Sequence, residues 1–211
     1  MRVTKYPQSC LVIEDHGQKL LIDPGTLVSQ AYQADEFSGI NSILLTHEHA
    51  DHVDDRYIKK LILDNKAIEI VGNQSTANLF PGLVTRIVSD GESFDLVGFK
   101  LVAHELPHCK MVDGSPGPQN TGYVINSVFF HPGDGIEVEN LAVDSAAVPI
   151  AGPDISPRDI FGFVKQLGCK TVVPVHYDYF PNDPNFVANF LKNVDANLKV
   201  VVLNNGEVAD I

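Results

Sequence analysis

Basic residues are scarce in this chain: 15 lysines and arginines stand against 27 aspartates and glutamates, a net charge of −12 over 211 residues. Binding to a phosphate backbone depends on Lys and Arg displacing its counterions, so nucleic acid is not an expected partner. A cationic cofactor is compatible with the same imbalance. Cysteine is scarce as well. Cys10, Cys109 and Cys169 are odd in number, widely spread and without CxxC spacing, which excludes a disulfide framework and reads as free thiols in a reducing cytoplasm. Long apolar runs are missing too. The opening MRVTKYPQSC lacks the apolar core of a signal peptide, and no stretch approaches membrane-spanning length, so neither secretion nor a membrane partner is expected. There is no repeat, linker or low-complexity segment. With 44% hydrophobic and 20% charged residues the balance is that of a globular protein, and one domain over residues 1–211 is expected.

What is there is a succession of short apolar runs and helical patterns. SCLVIED (9–15) and KLLID (19–23) read as strands around a His16-Gly17 turn, with Asp23-Pro24-Gly25 stopping the second. A polar, loop-like stretch leads to the buried strand NSILLT (41–46). Residues 55–64 carry Tyr57, Ile58, Leu61 and Ile62 at helical spacing. Further strands are expected at 67–72, within 84–106, in a hairpin over 122–131, and at 146–152, 171–177 and 199–211. Helices are expected at 75–80, 155–168 and 185–194. For the second of these, Ser156 is the N-cap, Pro157 lies in the first turn and Gly168 stands past the end. Interspersed helices and strands predict layered α/β sheets.

Between strand 41–46 and helix 55–64 lies THEHADHVDD (46–55), with three histidines and three aspartates in ten positions. His47 and His49 would diverge by about 200° on a helix and face opposite sides on a strand. An irregular loop at a strand end lets both reach one ion. Asp51 and His52 point elsewhere and could serve a second ion, as in hydrolytic sites whose two metals sit roughly 3.5–4 Å apart. Imidazoles and carboxylates suit zinc and related divalent ions. The bland alternative is a solvated polar turn. Against it, the other polar loops are not histidine-rich, and more ligand-type residues recur downstream at strand ends.

THEHADH resembles the HxHxDH signature of the metallo-β-lactamase superfamily, and LLIDPG (20–25), FFHPGDG (129–135) and VVPVHYDYF (172–180) look like its other landmarks in the right order. The resemblance spans roughly residues 10 to 180. Within the superfamily the chain is similar to small metal-dependent hydrolases that include the L-ascorbate-6-phosphate lactonase-like proteins. This implies a four-layer αββα sandwich and two divalent ions, zinc first and manganese, iron or nickel as alternatives. By the same resemblance, His47, His49 and a third histidine hold one ion; Asp51, His52 and His176 hold the other; Asp134 bridges them. His104 and His108 compete for the third place. His108 is favoured because it lies in the loop leading to NTGYVI, whereas His104 belongs to the preceding strand. A metal-bridging hydroxide would attack a small ester, lactone or phosphodiester, with Asp51 or Asp134 orienting the nucleophile and shuttling its proton. His131 is a candidate to line the pocket or donate a proton to a leaving group, although a packing role, or one behind the ligands, is the favoured reading. The positive excess of the ions implies a small anionic substrate. Gly135 departs from the Thr or Ser that often follows the bridging Asp in relatives. One of Tyr177 and Tyr179 is expected to pack inward. Cys109 is expected to pack, His16 to lie on the surface, and Glu48 to take no metal.

Two readings from other classes compete with a hydrolase. One is a mono-iron, dioxygenase-like redox enzyme on the same fold, which metal identity would separate. The other is a non-catalytic metal- or ligand-binding protein, against which stands the completeness of the ligand set. A nuclease conflicts with the acidic balance.

Overall fold

A computed structural model describes residues 1–63, 67–180 and 182–211. Fourteen strands form among these residues: β1 (Arg2–Lys5), β2 (Leu11–Asp15), β3 (Gln18–Ile22), β4 (Ser42–Leu44), β5 (Glu69–Gly72), β6 (Arg86–Ile87), β7 (Ser93–Leu96), β8 (Phe99–Leu106), β9 (Asn120–Ile125), β10 (Phe129–His131), β11 (Ser145–Pro149), β12 (Thr171–Val175), β13 (Lys199–Val200) and β14 (Val208–Asp210). Five α-helices join them: α1 (Thr26–Ala31), α2 (Asp55–Leu61), α3 (Gln74–Leu79), α4 (Pro157–Leu167) and α5 (Pro184–Val194). One sheet has the order β14-β1-β2-β3-β4-β5-β6, the other β13-β12-β11-β10-β9-β8-β7. In each, an antiparallel portion passes into a parallel one, at β3–β4 and at β10–β11.

Three apolar layers hold the molecule together. Leu11, Ile13, Leu20 and Leu44 of the first sheet meet Phe99, Leu101, Tyr123 and Phe129 of the second between the sheets. Phe130, Ala146, Val148 and Val172 pack outward against Ile160, Phe163 and Leu167 of α4 and Leu191 of α5. Leu21, Ile43 and Ile70 pack outward on the first sheet against Val28 of α1 and Ile58 of α2. The order helix–sheet–sheet–helix is the αββα sandwich. Strands buried on both faces read as continuous apolar runs, which is why β4, β9 and β11 are buried at every position.

The elements follow the local chemistry. Ser156 accepts from the Asp159 amide while Asp159 accepts from the Ser156 amide, a reciprocal cap ahead of Pro157; Gly168, at φ 61°, ends α4. The helix expected over 55–64 is observed as α2, capped by Asp54; residue 64 lies outside the described residues. Some elements differ from expectation. β1 forms within a segment read only for what it lacked, α1 and a 3-10 turn at Ala34–Phe37 form within a stretch read as loop, and the closing segment 199–211 divides into β13 and β14, which join different sheets. No described helix is long and apolar enough to cross a membrane.

The direction of the strands positions the site. β3 and β4 are parallel, as are β10, β11 and β12, and β8 runs the same way as β10 because both are antiparallel to β9. Asp23, the 46–52 loop, His108, Asp134 and His176 all follow the C-terminal ends of these strands. Loops leaving the carboxyl ends of strands are where α/β sheets place their ligands.

Candidate metal centre

Seven side chains predicted from the sequence converge there in two groups. His47, His49, His108 and Asp134 form one; Asp51, His52 and His176 form the other, each with one ligand atom per residue within 4.8 Å of the rest. Asp134 faces both. Its Oδ2 lies 2.9 Å from His176 Nε2, 3.5 Å from His108 Nε2 and 3.8 Å from His47 Nε2, and its Oδ1 lies 3.2 Å from His52 Nε2. Asp51 Oδ2 is 3.4 Å from His176 Nε2 and 3.8 Å from His52 Nε2. His104 is elsewhere: it sits on the helix-facing side of β8, edge-on to Phe130.

The back of each ring decides which nitrogen faces inward. His52 Nδ1 donates to Asp23 Oδ2 at 2.8 Å, His176 Nδ1 to the Ala151 carbonyl at 2.7 Å, and His108 Nδ1 to the Cys109 carbonyl. A carbonyl can only accept, so Nδ1 of His176 and of His108 carries the hydrogen; with His52 Nδ1 engaged by the Asp23 carboxyl, all three Nε2 atoms are left to the centre. Asp23 does more than hold His52. Fully buried, it also accepts from the Thr46 amide and hydroxyl at 2.8 and 2.7 Å, fixing the start of the histidine loop. Gly25 is required at the same turn, since a Cβ there would lie 2.0 Å from the Asp51 carbonyl oxygen. Asn120 holds the Asp134 loop by accepting from the Asp134 amide and donating to the Pro132 carbonyl. Gly135, where the resemblance led to the expectation of a hydroxyl residue, has a steric reason: a Cβ would fall 2.4 Å from Leu106 Cδ1 and 2.9 Å from the Pro107 carbonyl.

His52 Nε2, His108 Nε2, His176 Nε2 and Asp134 Oδ1 are buried without a hydrogen-bond partner. Each such orphan costs about 1–3 kcal/mol, and four pointing into one space make sense if a cation completes them. The donor set, imidazole nitrogens with a shared carboxylate, fits a divalent ion. Protonation tells the same story. Burial works against a charged His176, but Asp134 and Asp51 overcome it and push its pKa up to about 10. Burial likewise opposes the charge on His108, and the Asp134 carboxylate 3.5 Å away together with the hydrogen bond to the Cys109 carbonyl push it up to about 10. Burial alone would raise Asp134, yet His176 and His52 beside it hold the carboxyl well below its usual range. Protons at these nitrogens stand where a metal ion would replace them.

The expectation that His131 donates a proton to a leaving group is corrected. Its ring is fully buried, Nε2 donates to the Ser9 carbonyl at 2.8 Å, and Nδ1 accepts from the Gly133 amide at 3.2 Å. Both nitrogens are used, which leaves a packing and loop-holding role. Tyr177 packs inward and donates to the Leu203 carbonyl, while Tyr179 is 63% exposed. Cys109 is buried, His16 lies on the surface, and Glu48 turns away to accept from Ser75. Asp23 and Asn120 were missed in the sequence. An acid placed directly after an apolar strand, at the same strand-end position as the histidine motif, was the available signal for Asp23.

A family model described as a β-lactamase superfamily domain matches residues 2–176. The chain belongs to the metallo-β-lactamase superfamily. Among its relatives, a protein of Mycobacterium tuberculosis, Protein Rv0786c, is 29% identical over 83% of this chain and 84% of that protein. A UPF0173 metal-dependent hydrolase of Methanobrevibacter smithii is also 29% identical, over 93% of this chain and 90% of its own. The same superfamily fold recurs in Igni18, a metallo hydrolase from Ignicoccus hospitalis, with a TM-score of 0.79 at 20% identity, covering 99% of this chain and 97% of the other. An isothiocyanate hydrolase from Delia radicum gut bacteria matches with a TM-score of 0.73 at 16% identity over 100% and 99%.

Proposed function

We propose that this superfamily member is a metal-dependent hydrolase that holds two divalent ions and cleaves a small ester, lactone or phosphodiester. The observation that carries the reading is the set of four buried, partnerless atoms on His52, His108, His176 and Asp134 that face one space. His47, His49 and His108 would hold one ion and Asp51, His52 and His176 the other, with Asp134, whose two oxygens face both groups, shared between them. The Methanobrevibacter relative's description as a metal-dependent hydrolase supports the class.

When bound, the ions supply Lewis acidity, lowering the pKa of water towards neutrality and polarising the oxygen of the group under attack. The protein's own part is orientation. Asp23 and the Ala151 and Cys109 carbonyls hold three imidazoles by their backs, so that each Nε2 points inward and only its proton need leave for a metal to bind. Asp51 stays ionised: burial opposes its charge, but His52 and the His176 ring 3.4 Å away hold its pKa well below the usual carboxylate range. It therefore acts as an acceptor that orients a water molecule. A cavity of about 570 Å³ opens beside His108, with Lys110 and Arg158 in its wall alongside Glu137, Asp154 and Asp159. Its size suits a small molecule, and the positive excess of the metal ions, not the mixed charges of the wall, would suit an anionic one.

The test combines elemental analysis with a substrate screen on metal-reconstituted protein. Lactones, phosphodiesters, thioesters and, in view of the Delia radicum neighbour, isothiocyanates form the panel. Two equivalents of metal and hydrolysis of a panel member are expected. One equivalent or fewer overturns the two-ion reading, and two equivalents with no hydrolysis turn the assignment towards metal-dependent binding.

A further inference from the structure

The turn after β1 contains a residue whose four polar groups all reach across the molecule. Gln8 is fully buried and stands in the left-handed region at φ 64°, a conformation that costs a non-glycine residue on the order of 1 kcal/mol or more. Its backbone amide donates to Asp178 Oδ2 at 2.6 Å, and its carbonyl accepts from the His176 amide at 3.1 Å. Its side-chain Oε1 accepts from the amides of Asp178 and Tyr179, both at 3.1 Å. Two backbone amides can only donate, so the atom they face is the oxygen. The amide nitrogen must then face the other way, where it donates to Asp51 Oδ2 at 2.7 Å. That oxygen is the one lying nearest His52 and His176.

A buried cation anchors the arrangement from behind. Lys5 Nζ is enclosed between Asp178 Oδ2 at 3.4 Å, Asn205 Oδ1 at 2.9 Å and the Tyr6 carbonyl, and lies over the Tyr177 ring. Asp178 is thus held by Lys5 and in turn holds Gln8.

We infer that Gln8 is a positioning residue, which through its side-chain amide sets the Asp51 carboxylate for the ion held by Asp51, His52 and His176, and that the Lys5–Asp178 pair fixes Gln8 for this task. The inference rests on the two-ion reading above. It makes the two ions unequal in their dependence on this turn, because no group of the His47, His49 and His108 cluster bonds to Gln8.

Cobalt(II) titration of metal-free protein, followed by its visible absorption bands and by equilibrium dialysis, tests it. In Gln8→Met, which keeps the bulk and loses both amide atoms, the first equivalent should bind as in wild type. The second should bind about 10–100-fold more weakly, with altered bands. In an Asp51→Asn background the same substitution should add nothing further to the second equivalent, since the two act through one contact. Should Gln8→Met fail to fold by circular dichroism, Gln8→Asn keeps the amide one methylene short and should show the same selective weakening in milder form. Two equivalents on wild type with an unchanged second equivalent in the folded variant, or equal weakening of both, overturn the role of Gln8 alone. One equivalent on wild type overturns the two-ion reading instead, and an unaltered affinity for that ion in the variant removes Gln8 as well.

Discussion

At the scale of single residues, the centre is a matter of which nitrogen is free. His104 and His108 lie four apart, and only the second has its Nδ1 tied back and its Nε2 turned to Asp134. His108→Ala should therefore weaken metal binding by more than about 100-fold, beyond what loss of a group behind a ligand produces, while His104→Ala leaves it within a few-fold; equilibrium dialysis of both variants checks this. Proton balance gives a second prediction. Since His108 and His176 are raised to about 10 in the metal-free protein, both carry protons at neutral pH, and ligands must lose them to bind metal. Calorimetry at pH 7.5 in buffers of different ionisation enthalpy should show protons released, and affinity should rise with pH. For folding the sign is opposite. A raised histidine contributes stability that is complete below its ordinary value of 6.5 and lost as pH climbs through about 10. With chelator present, the thermal midpoint should fall between pH 7 and pH 10.

At the scale of elements, close approach of backbones sets tolerance to change. Gly25→Ala would drive a Cβ into the Asp51 carbonyl, and crowding of this kind costs about 1–3 kcal/mol. Both stability and binding of the ion near Asp51 should fall. Gly162, inside α4 with nothing within 4 Å of an added Cβ, is the counter-case: Gly162→Ala should stabilise by up to about 1 kcal/mol. Denaturant titration of the two variants separates these outcomes. The same contrast explains what could be read in advance. α4 announces itself by Ser156, Pro157 and Gly168, all local signals. α1 follows Gly25 with no side-chain cap and has a single buried residue, Val28, so nothing nearby marks it. β1 is four residues long and is set by pairing with β2 and with β14 at the far end of the chain. The histidine loop was legible because its ligand types are crowded into one segment. Asp23, Gln8 and Asp178 were not, because amides and acids are common and theirs become meaningful only against partners 29, 43 and 170 residues away.

At the scale of the whole molecule, the strand-end loops that meet at Asp134 have a consequence in time. The first sheet alone supplies His47, His49, Asp51 and His52, the second supplies His108, Asp134 and His176, and β1 finds its partner β14 only when the last residues are in place. Contacts this distant in sequence are slow to make, so the centre belongs to the finished fold and not to any early fragment of it. Metal added during refolding should then leave the folding rate unchanged and slow unfolding instead, the pattern of an interaction absent from the transition state. Stopped-flow denaturant jumps with and without zinc would show it, and a faster refolding limb would mean the centre assembles early. In such a protein an ion acts as a latch: it does not help the chain find its shape, but it lengthens the time the shape is kept.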